Sequence, residues 1–325
     1  VRTTPPTPDE LSEITSTCDE IRARLSHVLS GKPQVVMTTI AVLLAEGHLL
    51  VEDVPGVGKT TLARALARTI RGTVGRVQFT PDLLPGDLTG MTIYRTHDGT
   101  FEFRPGPIFA NVVIGDEINR ASPKTQSALL QCMEERQVTV DGATHELPRP
   151  FLVVATQNPI EMEGTYPLPE AQRDRFTACI SVGYPSADAE LEMLERRETI
   201  DPLDELEPVT DVATLGRFID VVHRVFAADA VKRYAIDLVR TTREDPDVRL
   251  GASPRASVQL LRVARSVAAL SGREYVTPDD VQMLATAVLA HRLVVNPSAR
   301  ASGRSATDIV AGVLARVPVP TPARR

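Results

Sequence analysis

The stretch that most constrains this chain runs from His48 to Thr61, HLLVEDVPGVGKTT. An apolar run leads into a short loop with two glycines, and a helix-forming sequence follows at once. Gly56 and Gly58 let backbone N–H groups turn inward, and a helix beginning near Lys59 directs its positive end at the same point. Such a strand, loop and helix make a cradle for phosphate, formed by Pro55, Gly56, Val57, Gly58, Lys59, Thr60 and Thr61. Lys59 is placed to reach β- and γ-phosphates, and Thr60 to offer its hydroxyl to Mg²⁺. The general pattern GxxxxGK[ST] wants glycine where this chain has Asp53. Asp visits left-handed backbone at modest cost, so the turn is expected to survive. A chance glycine-rich turn before a helix is the bland alternative, and the flanking strand and helix disfavour it.

The second half of the site is Asn111 to Asn119, NVVIGDEIN, an apolar strand ending in adjacent carboxylates. Asp116 can hold a metal ion, usually through water, and Glu117 can activate an attacking water. Asp-Glu at a strand end is weak by itself. One βαβ excursion downstream of Gly58-Lys59-Thr60, it points to hydrolysis of a nucleoside triphosphate.

Short β-rich runs alternate with helical patterns from residue 10 to residue 187. They are His48 to Val54, Val77 to Phe79, Asn111 to Gly115 and Phe151 to Ala155. This alternation predicts an α/β core, a mostly parallel sheet with helices on both faces. Two interruptions carry Asp-Gly, a hairpin signal: 91–103 around Asp98-Gly99 and 137–147 around Asp141-Gly142. Over 188–297 the pattern turns all-helical, with Leu215, Phe218, Ile219, Val222 and Phe226 on one face and Val231, Tyr234, Ala235 and Leu238 on another. Ser253-Pro254 and Thr277-Pro278 each place a capping residue before a proline at the first helical position. The expected organisation is a flexible tail over 1–9, the core over 10–187, a small helical lid over 188–297, and a loosely docked tail over 298–325 with one short helix.

Charge and composition exclude several classes. Lys and Arg number 36 against 42 Asp and Glu, a formal charge of −6, so no cationic field exists to hold a polyanion and nucleic acid is not the expected partner. With no Trp and 4% aromatic residues, a stacking platform for single strands is not apparent. Cys18, Cys132 and Cys179 have no CxxC spacing, which suits free thiols in a reducing compartment. The six histidines show no HExxH, so no second metal site is indicated. No segment approaches 18 apolar residues and the N-terminus has no signal-like pattern. A cytoplasmic chain without membrane insertion is the expectation.

Together EDVPGVGKTT, FTPDLLPGDLTG, PGPIF, GDEINRASPKTQSALLQCMEERQVTV, TQNPIEMEGTYPLPEAQRDRF and GASPRAS resemble the MoxR family of AAA+ ATPases, across roughly Ser12 to Leu293. The resemblance implies an AAA+ P-loop core followed by a helical lid, with ATP and Mg²⁺ as cofactors. It implies that Asn158 is the polar sensor of the γ-phosphate and that Arg175 is the arginine finger given to the neighbouring subunit's ATP, with Arg173 close enough to leave an ambiguity. It also makes Arg255 the second sensor arginine and puts Ser30 and Gly31, with Lys32, against adenine. Asp53 matches the family's habit. The two hairpins would face the pore of a ring oligomer, a hexamer by family habit, acting chaperone-like on a protein client or inserting a cofactor, often beside a von Willebrand factor A domain protein. These hairpins carry neither a large aromatic cluster nor a strong charge run in the sequence, and no separate recognition domain is visible, so selectivity is expected to be borrowed from that partner. Alternatives are the I-type subunit of a magnesium chelatase, which TQNPIEMEGTYPLPEAQ fits less well, and a nucleotide-gated binding module, which the intact Lys59, Thr60, Asp116 and Glu117 oppose. A DNA helicase or loader is disfavoured by charge.

Overall fold

The computed structural model describes residues 4–29, 31–54, 56–97, 99–158, 164–187, 190–191 and 203–320. Two helices come first, α1 (Pro8–Val28) and α2 (Pro33–Leu44), followed by β1 (Leu49–Glu52), α3 (Lys59–Thr69), β2 (Val74–Gln78) and α4 (Pro85–Thr89). Next stand the hairpin β3 (Gly90–Arg95) and β4 (Thr100–Pro105), then β5 (Val112–Asp116), α5 (Pro123–Glu135), and a second hairpin, β6 (Gln137–Val140) and β7 (Ala143–Glu146). The core closes with β8 (Leu152–Gln157), α6 (Glu170–Arg173) and β9 (Ala178–Ile180).

Five strands form one parallel sheet in the order β2-β5-β8-β1-β9. Each of the four expected runs lands in a strand, and β9 completes the edge. Side chains alternate between faces, and the burial follows: Leu49 and Val51 pack with α1, α2 and α3, while Leu50 joins the opposite cluster with Val113, Val153 and α5. The sheet therefore has apolar cover on both sides, which places every strand's carboxyl end along one rim. Ligands bind at that rim in open α/β sheets.

The following segment holds α7 (Val212–Arg224), α8 (Asp229–Glu244), β10 (Val248–Leu250), α9 (Pro254–Leu270), α10 (Pro278–Leu289), β11 (Val294–Val295), α11 (Pro297–Ala301) and α12 (Ala306–Arg316). Ser253 and Thr277 cap α9 and α10 as their sequences predict. Three expectations change here. A two-stranded antiparallel ribbon of β10 and β11 interrupts the helices. Phe226 lies beyond the end of α7, bridges to Tyr275 and is 61% exposed, because the helix stops before the apolar period reaches it. Through residue 320 the C-terminal segment is packed rather than loose: α12 buries Ile309, Val310 and Val313 in the same cluster as the lid helices. At the other end Thr7 caps α1, so order begins before residue 10. Among the described residues no helix is long and apolar enough to cross a membrane.

Candidate active site

The loop after β1 reaches α3 with Gly56 at φ +85° and Gly58 at φ +90°, and a Cβ at Gly56 would meet nothing within 4 Å. Backbone N–H groups and open space therefore coincide at the start of α3, as an anion cradle requires. Lys59 Nζ donates to the backbone carbonyl of Asp53 at 2.8 Å. Burial pushes the Lys59 ammonium below its ordinary pKa, against the opposing pull of Asp53, Asp116 and Glu117. Val57 and Thr61 flank these groups, whereas Pro55 and Ser30 lie outside the described residues. Gly31 is at φ +76°, and the neighbouring Lys32 Nζ donates to the Tyr184 carbonyl at 2.8 Å, which ties the stretch proposed to lie against adenine to the irregular segment following β9.

Asp53 departs from the expectation that it survives by adopting left-handed backbone, for it is not among the positive-φ residues. Its side chain serves instead. Oδ2 accepts the Gly183 N–H at 2.6 Å and the Ser181 hydroxyl at 3.0 Å, and Oδ1 accepts the Val54 N–H at 2.9 Å. Burial raises the carboxyl's pKa, but these hydrogen bonds outweigh it and hold the group below its usual range. The carboxylate pins the phosphate loop to the segment after β9.

Beside the cradle, at the end of β5, Asp116 Oδ1 accepts the Thr60 hydroxyl at 3.3 Å and Oδ2 accepts Arg76 Nε at 2.9 Å. A hydroxyl and one carboxylate next to a phosphate cradle match the way Mg²⁺ is held, by one or two carboxylate ligands plus substrate phosphates. No cluster of three or more His, Cys, Asp or Glu suited to a metal exists among the described residues, so an all-protein cage is not offered in its place.

Glu117 takes φ +60°, ψ +51°, a costly conformation for this residue and one that clusters at functional sites. Its N–H donates to Thr156 Oγ1 at 3.0 Å, and its Oε2 accepts Gln78 Nε2 at 3.0 Å and Arg120 Nε at 2.9 Å. Thus Gln78 of β2 and Arg120 hold the carboxylate, while Thr156 of β8 holds the backbone of the same residue. Asn158 follows β8, the strand between β5 and β1, so it stands between the Asp116-Glu117 pair and the phosphate loop. Sequence reading missed Gln78, Arg120, Thr156 and Arg76. Nothing in their local sequence distinguishes them from ordinary strand and turn residues.

Arg175 and Arg255 lie elsewhere. The Thr177 N–H donates to the His48 carbonyl at 2.8 Å and Ala178 pairs with Leu49, so Arg175 stands at the amino end of β1, the opposite end from the phosphate loop. About 13 Å of strand separates these levels. Arg175 Nε contacts Glu134 Oε2 at 3.3 Å, and Arg255 Nη2 pairs with Glu134 Oε1. An open cavity of about 600 Å³ is lined there by Arg136, Arg175, Arg255 and Arg262, with Glu46 and Glu134. Arg173 instead leans toward Glu52, the last residue of β1, at 3.6 Å.

Both hairpins form. Asp141 and Gly142 take positive φ, as a two-residue hairpin turn demands, and Gly99 does so in the other; Asp98 is outside the described residues. No large aromatic cluster is expected of them, but folding pairs the rings that they do carry. Cross-strand pairing brings the rings of Tyr94 and Phe101 to 5.1 Å, with Tyr94 52% and Phe101 75% exposed, and Phe103 stacks on His145 at 3.9 Å, joining the two hairpins. Residues spaced along the chain look isolated until the hairpin folds them together. Cys18 and Cys132 are buried, and burial raises their thiols to about 12 and about 11.

Residues 48–178 match the family profile described as ATPase family associated with various cellular activities (AAA), and 240–313 match an AAA lid domain. The chain is 50% identical over 296 residues to the uncharacterized protein YeaC of Bacillus subtilis, covering 91% of this chain and 92% of that one. It is 43% identical over 305 residues to chaperone MoxR1 of Mycobacterium tuberculosis, covering 91% and 80% respectively. A solved chain from Cytophaga hutchinsonii, named as a candidate ATPase, superposes with a TM-score of 0.89 at 36% identity, covering 96% of this chain and 98% of that one.

Proposed function

Because this chain belongs to the MoxR family of AAA+ ATPases, we propose that it hydrolyses ATP at the interfaces of a ring oligomer, most simply a hexamer, and uses the cycle to remodel a protein client. The observation that carries this reading is the separation of Arg175 and Arg255 from Lys59 by the length of β1, together with their convergence on one cavity. Two cations that cannot serve their own phosphate loop are placed to serve a neighbour's. A heterologous contact, repeated head to tail, brings one rim of each subunit against the opposite rim of the next and closes into a ring.

In this reading the Gly56 to Thr61 stretch binds the triphosphate through backbone N–H groups, and Lys59 neutralises the β- and γ-oxygens. Thr60 and Asp116 would hold Mg²⁺, which supplies charge neutralisation across the β- and γ-phosphates. Glu117, oriented by Gln78, Arg120 and Thr156, takes a proton from water as its oxygen bonds to the γ-phosphorus and the bridging oxygen leaves with ADP. Asn158 orients that water or the γ-phosphate. Arg175 of the adjacent subunit, with Arg255 beside it, offsets charge on the transferred phosphoryl group. Since Arg173 leans toward Glu52, at the phosphate-loop end of β1 in its own chain, whereas Arg175 opens into the cavity at the other end, Arg175 is the better finger.

The exposed Tyr94 and Phe101 give the hairpins an apolar surface for a client, so selectivity need not be wholly borrowed. A von Willebrand factor A domain partner rests on the family resemblance, and an ATP-dependent pull-down with the Glu117→Gln chain would show whether one is retained. Measuring turnover per subunit against protein concentration tests the interface reading. The rate should rise steeply through the assembly range; a rate per subunit independent of concentration, in samples that remain monomeric, would remove it.

A further inference from the structure

Glu134 belongs to no motif of the phosphate site, yet one carboxylate of this residue is shared between Arg175 and Arg255. It sits in the last turn of α5, one oxygen toward each arginine: Oε2 to Arg175 Nε at 3.3 Å, Oε1 to Arg255 Nη2. The two guanidinium groups come from segments 80 residues apart in sequence, and without an anion between them their like charges would push them apart. A second tether runs in parallel. Ser253 Oγ donates to Asp174 Oδ2 at 2.8 Å, so the residues just before Arg175 and Arg255 are already fastened together. All three side chains remain part-exposed, at 32% for Arg175, 38% for Arg255 and 45% for Glu134, and all line the same open cavity.

We propose that Glu134 is a positioning residue for catalysis in the adjacent subunit, holding Arg175 and Arg255 as one preorganised pair that meets the neighbour's γ-phosphate. This inference rests on the interface reading above. Geometry supports preorganisation: Arg175 engages Glu134 through Nε and Arg255 through one Nη. Each guanidinium has five donors, so both keep others to direct at phosphate oxygens. Prearranged donors cost no reorganisation at the moment of reaction. Glu134 acts only through the arginines and touches no reacting atom.

The test is Glu134→Ala in the full chain, with ATP binding, KM and kcat measured on assembled protein. Expected are unchanged ATP binding and KM and a kcat lowered about ten-fold, a modest cost for misplacing catalytic groups. Since the side chain is nearly half exposed, the fold should not depend on it. The defect should also appear in the neighbour. Mixing Glu134→Ala chains, whose phosphate loop is intact, with Lys59→Ala chains, whose Glu134 and arginines are intact, should recover activity; an Arg175→Ala and Lys59→Ala mixture is the reference. Unchanged kcat in Glu134→Ala overturns the proposal. So does a lost kcat that mixing fails to recover while the reference mixture recovers, because that marks a local structural role. If neither mixture recovers, the interface reading falls and this inference with it.

Discussion

The carboxylate of Asp174 accepts the buried guanidinium of Arg292, Nε to Oδ1 at 2.9 Å, while its other oxygen accepts the hydroxyl of Ser253. Arg292 also donates to the Phe176 and Thr177 carbonyls, and its side chain is 1% exposed. The residue before the proposed finger is thus bolted to the turn after α10 and to the cap of α9, which fastens the finger's segment to the lid. Burial draws the Arg292 pKa down to about 10, with Asp174 opposing. Arg292→Met leaves the part-buried Asp174, 17% exposed, with one partner fewer, and the cost should fall at or below the about 3–5 kcal/mol of breaking a fully buried pair. Urea denaturation should show the midpoint lowered accordingly; a shift within error would mean that the bolt contributes nothing.

Glu117→Gln keeps the side chain's shape but removes the base. Turnover should fall by about 10²–10⁴-fold, the range for loss of general-base catalysis, while ATP binding persists. Lys59→Ala should lose binding itself. Titration with a fluorescent ATP analogue beside phosphate release separates the two, and near-normal turnover in Glu117→Gln would sink the assignment of the base.

Asp53 offers a sharper contrast. Were it a stand-in for glycine's backbone freedom, Asp53→Gly would be neutral or beneficial. Because its carboxylate clamps Gly183 and Ser181, both Asp53→Gly and Asp53→Asn should weaken ATP binding by about ten-fold, roughly 1.4 kcal/mol, the scale of hydrogen bonds to a charged group. Calorimetric titration decides it.

His48 predicts a pH dependence. Nδ1 accepts the Val153 N–H at 3.1 Å, so Nε2 carries the proton toward the Met133 carbonyl at 3.0 Å and the ring is neutral. Burial lowers its pKa from 6.5 to about 4, and burial likewise lowers His291 and His223. Between these values the unfolded chain binds more protons than the folded one, so stability is full above pH 6.5 and falls as pH drops toward 4. His48 alone accounts for about 3 kcal/mol across that window. Thermal melts from pH 7 to pH 4.5 should show the decline, and His48→Gln should flatten part of it; an unchanged slope in that variant would refute the assignment.

The fold class and the phosphate cradle were legible in the sequence because their chemistry demands contiguous residues: Gly56 to Thr60 in one loop, Asp116 beside Glu117 at one strand end. What stayed hidden depends on distance in three dimensions. Gln78 and Thr156 hold Glu117 from neighbouring strands, Ser181 and Gly183 hold Asp53 from 128 and 130 residues away, and Glu134 gathers two arginines from separate segments. Tyr94 and Phe101 became a pair only across a hairpin. The lid's ribbon escaped notice because Val248–Leu250 and Val294–Val295 are too short to show a period.

If each subunit completes its neighbour's site, ATP turnover should return in mixtures of Arg175→Ala and Lys59→Ala chains, each inactive alone. The first kind binds ATP but has no finger to give, and the second gives a finger but binds none. Turnover should appear on mixing and peak at equal proportions, at about a quarter of the wild-type rate, since only one of four possible neighbour pairings joins an intact phosphate loop to an intact Arg175. If no mixing ratio restores turnover although the two chains assemble together, Arg175 does not act across the interface and the sites are not shared between subunits.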